Sequence, residues 1–368
     1  LLTRLKEEGA RSYDLADWPD IYGNDDSIVG ALELRTAETL GTESAAYFPT
    51  GTMAQQAALR CWAARTGNDT VALHPLAHPV RWERDALRRL SGLHVVHPGD
   101  GAPRMFSADE VRDCEEPFGT LMLELPLRDA GFVLPTWEEL TATVEAARER
   151  DAVVHLDGAR LWECATHFGR PLQEIASVAD SVYVSFYKSL GALSGAALAG
   201  PATLVEEAVA WRHRYGGALF QQWPAVLSAL VGFDQELPRL PSYVAHARLV
   251  AEAMREALAG SGKAWWRVWP EVPHTHQFQV WLPYGAEDLE EASLRYAEES
   301  GTLLFRAWSE APGGPPGVSM SEVTVSAPGL SWAREDVSCA VEGFLSTLAG
   351  VTGESGAPGE GGVTGGSA

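Results

Sequence analysis

The chain has 368 residues, 46% hydrophobic and 21% charged, which is the balance of a soluble globular protein with room for one large domain and a smaller one. Fifty acidic residues against 28 Lys and Arg leave a formal charge of −22, which repels a phosphate backbone or an anionic bilayer and argues against nucleic acid and membrane as partners. Four scattered cysteines, Cys61, Cys114, Cys164 and Cys339, form no CxxC pair, so neither a zinc site nor a disulfide framework is expected, and a reducing cytoplasm is the expected location.

No apolar run reaches the roughly 20 residues that span a bilayer, and "LLTRLKEEGARS" lacks the apolar stretch of an export signal. Residues 1–26 read as an N-terminal segment. "SIVGALELRTAETLG" (27–41) spaces its apolar residues for a helix and stops at Gly41. "AYFPTGTMAQQ" (46–56) then passes from an apolar run through Thr50, Gly51 and Thr52 into a second helix, "TMAQQAALRCWAAR" (52–65). Short apolar runs follow at "TVALH" (70–74), "LHVVH" (93–97), "TLMLEL" (120–125), "AVVHLD" (152–157), "SVYVSF" (181–186) and "AALAG" (196–200), with a helix over 136–151. Runs apolar on both faces, alternating with amphipathic helices, predict a large α/β domain over 27–236 built on a mostly parallel sheet flanked by helices.

From 237 to 349 the pattern changes to a smaller α+β domain. It has a helix in "ELPRLPSYVAHARLVAEAMREALAG", alternating strands at "HQFQVWL" and "EVTVS", and a last helix over 333–348. The Gly-rich residues 350–368 are expected to form a flexible tail, since they carry too little apolar area to offset the entropy of ordering.

In such sheets ligands bind beyond the carboxyl ends of the strands, and three polar groups stand there. Thr50, Gly51 and Thr52 offer backbone N–H groups at a helix N-terminus, which suits either an ordinary cap or an anion site. "AVVHLDGAR" ends in Asp157 and Arg160, and Asp157 by itself would also serve as a helix cap. Lys188, after an apolar strand, must either reach water or lose solvation, and a desolvated amine has a lowered pKa and becomes nucleophilic. An anion cradle, a buried carboxylate and a nucleophilic lysine together suit pyridoxal 5'-phosphate (PLP): one binds its phosphate, one holds a proton on the pyridine nitrogen, one captures its aldehyde.

"YGNDDSIVGALE", "FPTGTMAQQAALR", "HLDGAR" and "FYKSLGALSGAALAG" also occur in the order and approximate spacing of the threonine aldolase and β-eliminating lyase family, which the chain resembles over roughly residues 20–235 and more weakly beyond. The resemblance implies a PLP enzyme of fold type I, with an aspartate-aminotransferase-like fold. It makes Lys188 the aldimine lysine, Asp157 the partner of the pyridine nitrogen, and Thr50, Gly51 and Thr52 the phosphate ligands. Arg160 becomes a ligand of the substrate carboxylate or the cofactor edge. His78, in "HPLAHPVRWE", matches the histidine that stacks on the ring and handles the β-hydroxyl proton. The implied activity is that of a threonine-aldolase-like carbon–carbon lyase in amino acid metabolism, cleaving a β-hydroxy-α-amino acid to glycine and an aldehyde. The alternative is a β-eliminase or transaldolase-like synthase of a specialised pathway. A homodimer or homotetramer is implied, with "IYGND" (21–25) reaching a neighbour's cofactor.

The chain departs from that pattern in places. It lacks the family's N-terminal Ser-Asp-Thr element, and Phe220 stands where relatives carry a cofactor-binding arginine, leaving Arg212 or Arg214 as candidate substitutes. "LELPLRDAGF" (123–132) replaces a Glu-Asn-Thr-His-Asn type run. Ser321 and Glu322 fall where a second carboxylate arginine is expected, with Arg306 the nearest replacement. His274 and His276 alternate as if on a strand but lack a third ligand, so no metal is expected.

Overall fold

The computed structural model describes Thr3, Leu5, Tyr22, residues 26–310 and residues 315–353. Most of the expected N-terminal segment, "IYGND" apart from Tyr22, and the tail beyond Gly353 lie outside the described residues. Ser27 caps the helix Ile28–Leu40 by accepting the Val29 N–H at 3.1 Å, a cap worth about 1 kcal/mol, and Gly41 ends it in the left-handed region at φ 66°.

Seven strands follow: β1 (Ser44–Phe48), β2 (Thr70–Ala72), β3 (His94–Val96), β4 (Thr120–Glu124), β5 (Val153–Gly158), β6 (Ser181–Ser185) and β7 (Ala196–Gly200). They form one sheet in the order β1-β7-β6-β5-β4-β2-β3, parallel except that β7 runs antiparallel to both its neighbours. The period-two alternation of the strands sorts the core. Val182, Val184, Ala197 and Ala199 pack on the face covered by the helix Ile28–Leu40. Tyr183, Ala196 and Leu198 pack on the opposite face with Ala54, Ala57 and Ala58 of the helix Gly51–Thr66. The small side chains of that helix let its backbone approach the sheet closely, with its N-terminus at the strands' carboxyl ends.

The chain divides into two compact units. Of the described residues, those up to His246 together with Pro273–His276 form the first, and Ala247–Val272 with those from Gln277 onward form the second. The first unit thus extends past the boundary read from the sequence, because Leu240 and Tyr243, at the start of the helix Leu240–Gly260, belong to its core.

The second unit has an antiparallel sheet of β8 (Arg267–Trp269), β9 (Gln277–Leu282), β10 (Ser309–Glu310) and β11 (Ser319–Thr324), in the order β10-β11-β9-β8. β11 lies earlier than "EVTVS" suggests. The last helix, Arg334–Thr352, continues into the Gly-rich stretch expected to be flexible from 350, because Leu348 and Val351 pack in the unit's core and hold that turn; Gly353 ends it at φ 72°. Among the described residues no helix is long and apolar enough to cross a membrane, and no group of three His, Cys, Asp or Glu could hold a metal ion.

Candidate active site

Strands β4, β5 and β6 end side by side, and their registers put Glu124 opposite Asp157 and Asp157 opposite Tyr183. The helix Gly51–Thr66 starts above them. Thr50 caps it, its Oγ1 accepting the Met53 N–H at 3.3 Å. Together they enclose a cavity of about 260 Å³ lined by Thr50, Gly51, Thr52, His78, Asp157 and Lys188, and also by Gln55, Glu83, Tyr183, Tyr187, Leu193 and Ser194. Position 51 requires glycine for want of space, since a Cβ there would come within 2.0 Å of the Tyr183 hydroxyl. The loop carrying Lys188 turns back through Gly191 (φ 67°) and Gly195 (φ 102°), closed by Ala192 N–H to Phe186 O at 3.0 Å and Phe186 N–H to Gly195 O at 3.0 Å.

The electrostatics of the site follow from burial. Desolvation and the Arg160 guanidinium bring Lys188 down to about 8, against the opposite pull of Asp157 and Glu124. Burial also raises Asp157, which is 2% exposed, although Lys188 and the Ala159 N–H on Oδ1 (3.1 Å) favour its charged form. Glu124 is pushed up to about 7 by burial and by Asp157, while accepting the N–H groups of His78 (2.7 Å) and Arg128 (3.2 Å). Hydrogen bonding to Glu83 (3.3 Å) raises His78, and the same carboxylate accepts the Thr52 hydroxyl at 2.9 Å. Because Glu83 stabilises the imidazolium, Glu83→Gln is expected to lower the His78 pKa. If turnover needs neutral His78, the acid limb of kcat/KM against pH then moves to lower pH, with kcat falling about tenfold or more. An unmoved limb would show that the titrating group is not His78.

Six of the residues singled out in the sequence therefore border one cavity. Arg160 stands beside it, acting on Lys188 through space with its guanidinium 5.2 Å from the Phe132 ring centre. Phe132 is itself buried in a left-handed conformation, φ 58°, which is strained for a non-glycine residue. Arg306 is exposed in the second unit and is not among the lining residues. Neither proposed substitute for the missing arginine lines the cavity. Arg212 is buried, donating to Tyr47 O at 2.6 Å and pairing with Glu33 at 3.4 Å, and Arg214 stacks on Trp211 at 4.4 Å.

His274 and His276 do not alternate on a strand, for they precede β9. His274 Nδ1 accepts the Leu134 N–H at 2.9 Å, and His276 pairs with the buried Glu163, which also accepts the Ser189 hydroxyl at 3.0 Å. Sequence reasoning passed over Gln55, Glu83, Glu124, Arg128 and Tyr183. Glu124 carried a usable signal, because it is a carboxylate at the carboxyl end of a buried apolar strand, as Asp157 nearly is in its own. Glu83 carried only its spacing after His78.

The lining suits a flat cofactor with an anionic arm: a glycine-floored helix N-terminus, a buried carboxylate and an amine of lowered pKa face one space of small-molecule size. Comparison with known proteins points the same way. Residues 16–261 match the family described as β-eliminating lyase. The chain is 30% identical over 243 residues to the low specificity L-threonine aldolase of Escherichia coli K12, covering 65% of this chain and 72% of that protein. A crystal structure of a Listeria monocytogenes EGD-E protein assigned as an L-allo-threonine aldolase superposes with TM-score 0.82 at 33% identity, covering 94% of this chain and 93% of that one. An Exiguobacterium protein assigned as an aromatic amino acid β-eliminating lyase/threonine aldolase superposes with TM-score 0.85 at 31% identity, covering 94% of each chain.

Proposed function

The chain belongs to the threonine aldolase and β-eliminating lyase family of PLP-dependent enzymes, and from that premise we propose that it is a carbon–carbon lyase cleaving a β-hydroxy-α-amino acid to glycine and an aldehyde. The observation that carries this reading is the His78–Glu83 pair bordering the same cavity as Lys188 and Asp157. When bound, PLP supplies an electron sink for the pair released at the amino acid's α-carbon. Lys188 is the amine that would hold the cofactor through its aldehyde. Asp157 would hold a proton on the ring nitrogen, and the N–H groups of Thr50–Thr52 with the Thr50 hydroxyl would take the phosphate. His78, oriented by Glu83, removes the proton from the β-hydroxyl, so that the aldehyde carbonyl forms as the bond to the α-carbon breaks. Arg160 would take the substrate carboxylate or the cofactor edge, and Arg128, which like Arg160 disfavours the charged form of Lys188, would add to the positive field there.

The test is product analysis with L-threonine, L-allo-threonine and L-serine. Glycine plus acetaldehyde from either threonine isomer is expected. Ammonia plus a keto acid, with no glycine, would sink the aldol reading in favour of β-elimination, and glycine consumption with an aldehyde would favour a synthase. We also propose a homodimer or homotetramer. Tyr187 and Leu193 line the cavity yet are 41% and 49% exposed, as suits a rim covered by a second copy of the chain. Light scattering of the purified protein reports its mass directly.

A further inference from the structure

Beneath the cavity lies a chain of buried polar side chains that the proposed reaction does not use. The Trp62 indole N–H donates to Ser181 Oγ at 2.7 Å, His155 Nδ1 lies 2.7 Å from the same oxygen, and His155 Nε2 lies 2.7 Å from Gln55 Oε1. Trp62 is 7% exposed, Ser181 1%, His155 0% and Gln55 2%. An indole N–H can only donate and an amide oxygen can only accept, so the protons in between are assigned. His155 Nε2 carries the ring proton, and Nδ1 accepts from the Ser181 hydroxyl. Burial holds this imidazole neutral, its pKa pushed down to about 3, so the arrangement persists across the physiological range. Gln55 thus has its amide oxygen committed inward. Its amide nitrogen has no partner among the described residues, and Gln55 lines the cavity.

We propose that this relay presents the Gln55 amide nitrogen to the cavity as a fixed donor to the cofactor's phosphate. The inference rests on the phosphate site proposed at Thr50–Thr52, and two observations direct it there. Helical side chains lean toward their helix's N-terminus, so Gln55 lies over Gly51, one turn back on the same face. The Thr52 hydroxyl is also given to Glu83 and, among the described residues, no arginine lines the cavity, which leaves a role for a further donor at this end of the helix. An amide whose far end is already bonded meets the anion without reorganising.

Binding to the cofactor-free protein tests this, using PLP, inorganic phosphate and pyridoxal, which lacks the phosphate. Gln55→Glu keeps an oxygen acceptor for His155 while replacing the donor with a negative charge. It is expected to weaken PLP and inorganic phosphate by about tenfold or more and to leave pyridoxal within about twofold. Ser181→Ala, which cuts the relay and leaves Gln55 in place, should weaken phosphate by a smaller factor. Thermal unfolding of each cofactor-free variant separates lost binding from lost fold. An equal loss for pyridoxal, or no loss for phosphate, overturns the proposal. Thr50→Ala tells the two levels apart: if it weakens phosphate and Gln55→Glu does not, only the role of Gln55 falls, whereas if neither does, the phosphate site itself is misplaced.

Discussion

Lys188→Ala is expected to abolish covalent retention of PLP and to lower turnover of β-hydroxy-α-amino acids by at least about 10³-fold. Only the neutral amine attacks an aldehyde. With its pKa brought from 10.5 to about 8, Lys188 has a neutral fraction at pH 7 roughly two orders of magnitude above that of an ordinary lysine. The causes are local, namely desolvation at the end of β6 and the Arg160 guanidinium. Because the folded-state pKa lies below the ordinary one, capture of PLP by the cofactor-free protein should accelerate as pH rises toward about 8 and then level off. Borohydride reduction followed by peptide mass spectrometry locates the attachment. A PLP-linked mass retained in the variant, or capture still accelerating toward pH 10, contradicts this assignment.

Asp157→Asn is expected to lower turnover by about 10²- to 10³-fold while raising the melting temperature of the cofactor-free protein at pH 7. Asparagine keeps an acceptor for the Ala159 N–H but has no charge with which to hold a proton on the ring nitrogen. The stability change has the opposite sign because burial raises the folded-state pKa of Asp157 above its ordinary value of 3.8. The folded protein then binds that proton more tightly than the unfolded chain, so this contribution to stability is present at low pH and is lost as pH rises through the folded pKa. Glu124 adds to the effect between its ordinary 4.5 and about 7. Cofactor-free wild type should therefore lose stability across that window, and the variant should lose less. A variant that melts lower than wild type at pH 7, or that retains turnover within tenfold, would refute the buried-charge account.

How much could be read in advance depended on how local each feature is. The helix Ile28–Leu40 was evident from its spacing and from Gly41, because cap and periodicity lie within a dozen or so neighbours. The end of the last helix was misplaced because composition alone suggested a tail, and only packing of Val351 against the second unit's core shows the helix continuing. His274 and His276 alternate in sequence, yet their partners, Leu134 and Glu163, come from the other side of a long chain excursion. Arg212 could replace a missing arginine only while its bonds to Tyr47 and Glu33 were unknown.

By itself the sequence determined the α/β class, the cofactor and the neighbourhood of Thr50–Thr52, Asp157 and Lys188. Each of these resides in a single strand–turn segment, where alternation and spacing carry the information. Only the tertiary structure decided what those groups are bonded to: Glu83 on His78, Glu124 beside Asp157, and Gln55 on His155, a hundred positions away. The last two pairs exist because parallel crossover connections bring β4, β5 and β6 into register and lay the helix Gly51–Thr66 across them. Hydrogen bonds across that distance obey the order of strands in the sheet, which no local pattern encodes.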